Sequence, residues 1–246
     1  MLNREDQHNY QVIANNFVIE HKKVGLFLGC GMGKTVTTLT SILDLLEDFF
    51  VAKVLIVAPL RVANTVWQQE ALNWSHTRDL NMSICTGTVT ERKLAIEEDA
   101  DIYIINRENI PWLVKNFKWK WDMLVVDEST SFKSAKAIRF KALKKILKHL
   151  KSVILLSGTC APNGEMDLWS QIYLLDQGER LGRTITAFRS RFYIADGFKG
   201  YGYKLKPGAD KEIRELIKDI CISMESDKLE KPVNITIRVQ LPDKVL

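Results

Sequence analysis

Three glycines and a lysine in Leu28-Gly29-Cys30-Gly31-Met32-Gly33-Lys34-Thr35 separate an apolar run at residues 24–28 from a helical pattern that starts at Val36. Few arrangements constrain a fold so tightly. A buried strand must end, the backbone must turn where side chains would obstruct it, and a helix must begin with its N–H groups aimed into the turn. Farther along, Asp127-Glu128 directly follows the apolar run Met123-Leu124-Val125-Val126. Together the two segments describe a nucleoside triphosphate site. The backbone of Gly29, Cys30, Gly31, Met32 and Gly33 can close around phosphates, and Lys34 can neutralise their oxygens. The Thr35 hydroxyl and Asp127 are the expected Mg²⁺ ligands, with Glu128 as the acid that activates water. The strict phosphate-loop spacing has a glycine where this chain carries Leu28. The strand, loop and helix around it supply the context that the bare pattern lacks.

Strand-like runs recur at residues 24–28, 53–58, 81–85, 102–105, 123–126 and 153–156, with helical patterns between them. Most are nearly continuous in apolar residues, as parallel strands covered on both faces should be. The pattern predicts an α/β fold with a doubly wound, mainly parallel sheet, whose ligands sit beyond the carboxyl ends of the strands. Every motif named above falls there. After about residue 165 the pattern changes to a helix at 166–175, a basic aromatic segment, and an irregular hairpin containing Phe198, Tyr201, Tyr203 and Lys204. A helix at 209–220 follows, then a half-buried strand in which Val233, Ile235, Ile237 and Val239 alternate with polar residues. One domain is expected over 1–246, with its core at 1–165 and an extension at 166–246.

A chain of 246 residues with 46% hydrophobic content can bury one large core. It holds no run of eighteen apolar residues and no signal-peptide pattern at its start, so a cytoplasmic protein with no membrane partner is expected. Its four cysteines lack zinc spacing and read as reduced thiols. The net charge is +5, yet residues 133–151 alone carry seven lysines and Arg139 with no acidic residue. That stretch projects as an amphipathic helix with Ile138, Ala142, Ile146 and Leu150 in one apolar row. Its lysines form either a solvated face or a surface for a phosphate backbone.

The motifs resemble those of superfamily-2 helicases, and within them the Snf-type translocases, including small phage-encoded members. Gly31-Met32-Gly33-Lys34-Thr35 is similar to motif I, Ala58-Pro59-Leu60-Arg61 with Trp67 and Glu70 to motif Ia, and Asp127-Glu128-Ser129-Thr130 to motif II. Ser157-Gly158-Thr159 with Pro162-Asn163-Gly164 resembles motif III, and the segment from Asp167 to Asp176 the helix after it. Gly29, Cys30 and Cys160 depart from the usual residues at their positions. The resemblance implies a RecA-like P-loop NTPase lobe that uses ATP and Mg²⁺, with Gln11 reading adenine. It assigns Ser157 and Thr159 to coupling. Arg61, Asn106 and Arg107, just past strand ends, are candidate contacts to nucleic acid, duplex DNA foremost. It also implies a partner, a second RecA-like lobe whose arginines reach the γ-phosphate and which would begin about where residue 246 stands. The chain alone is then expected to bind ATP and hydrolyse it slowly, in the host cytoplasm if phage-encoded. Two other readings stay open. One is an ATP-dependent DNA-binding module without turnover, and the other is a small-molecule kinase whose lid would be Glu179-Arg180-Leu181-Gly182-Arg183.

Overall fold

The computed structural model describes residues 1–246 except 160, 162, 163, 197–201 and 226–246. The expectations for Cys160, Pro162, Asn163, Phe198, Tyr201 and the strand at 233–239 lie outside the described residues. Seven strands form one sheet, parallel at every pairing, in the order β3 (Met82–Cys85), β4 (Ile102–Asn106), β2 (Val54–Ala58), β5 (Met123–Val126), β6 (Ser152–Ser157), β1 (Lys23–Leu28) and β9 (Cys221–Met224). The doubly wound α/β architecture is as expected. A separate antiparallel hairpin pairs β7 (Tyr193–Asp196) with β8 (Gly202–Leu205).

Strand periodicity sorts the central residues onto two cores. Val54, Ile56, Ile102, Ile104, Met123, Val125, Ile154 and Leu156 face one side, against α1 (Asn9–His21), α2 (Lys34–Glu47) and α3 (Leu60–Asn73). Leu55, Val57, Tyr103, Ile105, Leu124, Val126, Val153 and Leu155 face the other. There they meet α4 (Val89–Glu97), α5 (Ile110–Asn116), α6 (Ile138–Lys144), α7 (Leu168–Asp176), α8 (Ile185–Phe192) and α9 (Ala209–Ile217). Because successive side chains point to opposite faces, two covered faces demand an unbroken apolar run, which is what these strands carry.

Helix α2 forms against its own composition. Thr35, Thr37, Thr38 and Thr40 are poor helix formers, yet Thr37, Thr38, Thr40 and Ser41 are fully buried. Their hydroxyls donate back to the carbonyls of Gly33, Lys34, Val36 and Thr37 at 2.8–3.0 Å, which removes the cost of burying them. Packing then overrides propensity.

Two sequence expectations are corrected. Strand β9 was not foreseen; it lies at the sheet edge beside β1, and Gly25 of β1 makes room for it, since a Cβ there would stand 2.9 Å from the Phe27 ring and 3.0 Å from the Cys221 sulfur. The amphipathic helix of residues 133–151 is broken into α6 and a 3₁₀ turn at Leu147–His149. Ala142, Ile146 and Leu150 are buried as the periodicity requires, but Ile138 is 74% exposed and Phe140 is buried instead. Ile138 opens α6, with Ala137 as its extended N-cap, so no earlier turn carries the row inward.

Candidate functional site

β1 ends at Leu28, and the loop that follows reaches α2 through Gly33, whose φ of 68° is left-handed backbone that favours glycine. A Cβ on Gly33 would stand 2.2 Å from the Gln11 side-chain nitrogen. No side chain caps α2, so its first-turn N–H groups face the loop opening, where the helix dipole favours an anion. Lys34 curls back, its Nζ donating to the carbonyls of Leu28 at 2.9 Å and Gly29 at 3.2 Å, which holds the ammonium over the loop. Gln11 on α1 is 4% exposed and donates to the Met32 carbonyl at 3.4 Å while accepting from the His8 N–H at 2.8 Å. The expected adenine reader is thereby fastened to the phosphate loop. Cys30 and Gly31 are exposed at the loop tip, and Met32 is buried beneath it.

Two strands away, β5 ends at Val126, and Asp127 follows, its N–H bonded to the Val57 carbonyl at 2.8 Å. Burial, then the neighbouring Glu128 charge, pushes the Asp127 carboxyl up to about 6, and Lys34 acts in the opposite direction. The lysine of one motif and the acid of the other therefore share one edge of the sheet and sense each other. Glu128 is exposed and holds φ 51°, ψ 57°, a left-handed backbone that costs a non-glycine residue roughly 1–2 kcal/mol. Such strain gathers at functional sites, and here it turns the chain sharply between Asp127 and the 3₁₀ turn Ser129–Phe132.

The residues fit a magnesium-bound triphosphate. Among the described residues the Thr35 hydroxyl makes no hydrogen bond, although Thr37, Thr38, Thr40 and Ser41 all do, and Asp127 makes no ion pair. Neither is thus occupied by a cationic side chain. No group of three or more His, Cys, Asp or Glu forms a metal cage among those residues. Mg²⁺ needs none, because it keeps most of its water and uses one or two protein oxygens with the phosphates.

The remaining expected residues divide. Arg61 is exposed on the first turn of α3, and Arg107 lies half-buried after β4, tied to Glu108 at 2.8 Å. Asn106 is only 7% exposed, with its amide committed to the side chains of Glu108 at 3.0 Å and Asn109 at 2.5 Å, so it is held within the turn after β4 and is not presented outward. Ser157 and Thr159 close a local turn, the Ser157 hydroxyl donating to the Thr159 carbonyl at 2.7 Å. Next to the acid pair, the Ser129 hydroxyl donates to the Gln171 side-chain oxygen Oε1 at 2.7 Å, both residues fully buried. A separation of 42 residues hides that bond from any local pattern. The lid-like segment is fixed at the far edge of the sheet. Arg180 pairs with Asp219 at 2.5 Å and shares a depression with Lys22 and Lys23 at the start of β1, which deprives the kinase reading of its lid.

Trp67, in the segment similar to motif Ia, is fully buried on α3, and its indole N–H makes no hydrogen bond. A buried donor left without a partner costs about 1–3 kcal/mol.

Comparison with known proteins agrees with this geometry. The model of the SNF2-related domain matches residues 10–245. Protein p41 of Acyrthosiphon pisum secondary endosymbiont phage 1 is 35% identical over 250 residues, covering 96% of this chain and 54% of its own. The chromatin-remodeling ATPase INO80 of Sclerotinia sclerotiorum is 27% identical over 159 residues, 59% of this chain and 9% of its own. Among solved structures, the SWI2/SNF2 ATPase core of Sulfolobus solfataricus in complex with dsDNA superimposes with a TM-score of 0.73 at 24% identity, over 89% of this chain and 44% of that one. The chain spans about half the length of the phage relative and less of the others. With a phosphate loop, an acid pair and a sheet that all agree with a match over nearly its whole length, this chain belongs to the SNF2-related domain family.

Proposed function

We propose that the chain is the ATP-binding lobe of a nucleic-acid-dependent ATPase, a Snf-type translocase that couples ATP hydrolysis to movement along duplex DNA. The observation that carries this reading is the shared sheet edge on which Lys34 senses Asp127 while Thr35 and the α2 N–H groups stand open. ATP is the substrate, and Mg²⁺, held by Thr35 and Asp127, would supply charge neutralisation on the phosphate oxygens. Lys34 neutralises the β and γ oxygens. Glu128, exposed beside Asp127, orients the attacking water and takes its proton. Gln11 orients the base while bracing the loop through Met32. Ser157 and Thr159 belong to the coupling between hydrolysis and the nucleic-acid surface, and the Ser129–Gln171 bond gives the acid pair a second mechanical outlet.

Duplex DNA as partner is supported by family membership and by the exposed Arg61, whose guanidinium group suits backbone phosphates, with the half-buried Arg107, paired with Glu108, as a weaker candidate. A second RecA-like lobe would bring arginines to the γ-phosphate, a contribution of about 10³–10⁵ in rate. The lobe alone therefore binds ATP and turns it over slowly. The test is steady-state ATPase with and without duplex DNA over a salt series, with the full-length relative as reference. The expected result is DNA stimulation that falls with salt and a Glu128→Gln variant that binds ATP normally but loses at least about 100-fold in turnover. Wild-type turnover in that variant would remove Glu128 from the mechanism. ATP binding without DNA-stimulated turnover, even beside a second lobe, would make the chain a nucleotide-switched binding module.

A further inference from the structure

Gln171 is fully buried in the first turn of α7, where an amide survives only if its polar atoms are met. Both ends of that amide have partners. Nε2 donates to the Asp167 carbonyl at 3.0 Å, and Oε1 accepts from the Ser129 hydroxyl at 2.7 Å. Turning the amide over would set its oxygen against the Asp167 carbonyl oxygen, so the two partners fix its orientation. Ser129 in turn directly follows Glu128, the residue in left-handed backbone, whose carbonyl receives the Ser131 N–H at 2.9 Å. Backbone of that kind persists only where its surroundings over-determine it. The Glu128 side chain makes no ion pair among the described residues, so the restraint comes from the residues after it. Phe132 is buried at the end of the same turn, and Lys133 pairs with Asp167 at 3.6 Å. The turn is therefore tied to the start of α7 at both ends. The lysine pair is partly exposed and weak, which leaves the buried Ser129–Gln171 bond as the stiff tie.

We propose that Gln171 is the positioning residue for Glu128: through the buried Ser129 hydroxyl, helix α7 holds the strained turn that presents the carboxylate to the attacking water. The proposal rests on the reading of Glu128 as the acid that activates water. A misplacement of about 1 Å at a reacting group costs about 100-fold in rate, so loosening the turn by a fraction of that predicts a loss of about tenfold. Lys34 and Thr35, on the phosphate loop and α2, take no part in the tie. ATP affinity is therefore expected to be independent of it. That separation of rate from binding distinguishes a positioning role from a contribution to stability alone.

The decisive protein carries Ser129→Ala together with Gln171→Leu. It loses the bond but strands neither polar group, a replacement that stability tolerates far better than either single change. Its thermal melt and its ATP titration should match the native chain, while single-turnover hydrolysis at saturating ATP falls about tenfold. A purely structural bond predicts instead that turnover recovers along with the melting temperature. If the double variant does not fold, Ser129→Ala alone carries the test, with the same tenfold loss and unchanged ATP affinity expected. Native turnover in these variants, with Glu128→Gln abolishing it, would overturn the role of Gln171 and leave Glu128 in place. Native turnover in Glu128→Gln would overturn the reading of the acid itself. A crystal structure of the double variant gives an answer that does not depend on hydrolysis. Glu128 should leave its φ of 51°, and retention of that backbone would overturn the proposal.

Discussion

Asp122 and Asp127 stand at the two ends of the four-residue strand β5, and they are treated in opposite ways. Asp122, at the N-terminal end, accepts from the backbone N–H groups of Ala52 and Lys53 at 3.0 Å each and pairs with Lys151 at 3.2 Å. It fastens the starts of β2, β5 and β6 together. Asp127, at the C-terminal end, has one backbone N–H at 2.9 Å and a like-charged neighbour, and its carboxyl is pushed up to about 6. The N-terminal edge is further closed by Lys53 with Asp99 at 2.6 Å and Arg180 with Asp219 at 2.5 Å. At the C-terminal edge Glu108 is paired with Arg107, but among the described residues Asp127 and Glu128 make no ion pair and the Thr35 hydroxyl no hydrogen bond. One edge of the sheet is built for cohesion, and the other holds charge in reserve for a ligand.

That contrast can be broken from either side. The largest stability effect is expected from Asp122→Ala, which removes acceptors from backbone donors and strands Lys151; a loss of about 2–3 kcal/mol in urea unfolding is expected, with ATP affinity unchanged. Asp127→Asn should act in the opposite direction. A carboxyl whose folded value near 6 exceeds its ordinary 3.8 binds more protons folded than unfolded, so native stability falls as pH rises through that window. Removing the charge should therefore stabilise the metal-free chain by about 2 kcal/mol at pH 7.5, and the gain should vanish below about pH 4. A destabilised Asp127→Asn protein would show that the upper edge is as well satisfied as the lower one. The smallest effect concerns His76, beyond the end of α3, whose value is lowered first by burial and then by Arg4. A histidine held below its ordinary 6.5 charges more readily when unfolded, so its contribution is present above that pH and is lost as pH falls through the folded value. His76→Gln should flatten the stability profile below about pH 6.5, as read by thermal melts.

Much of this organisation is legible in the sequence because both ends of the site are continuous with their strands. An apolar run followed by glycines and Lys34, or by Asp127-Glu128, announces its own position at a strand end. The unforeseen strand β9 is short and half-exposed at the sheet edge, so it lacks the apolar run by which its neighbours are recognised. Ile138 obeys the helical period yet lies at the helix start, where the period has no packing to enforce it. Ser129 and Gln171, 42 residues apart in the sequence, meet as distant segments. Only the winding of the chain brings them together, and no spacing rule encodes it.

The claim beneath all of this is that Lys34 and Asp127 serve a single nucleotide. Calorimetric titration of ATP into the Glu128→Gln protein, with and without Mg²⁺, tests it most directly. Binding that strengthens with Mg²⁺, is lost on adding Lys34→Ala, and loses only its Mg²⁺ enhancement on adding Asp127→Asn is the expected outcome. ATP bound equally well without Lys34, or Mg²⁺ enhancement that survives without Asp127, would contradict it.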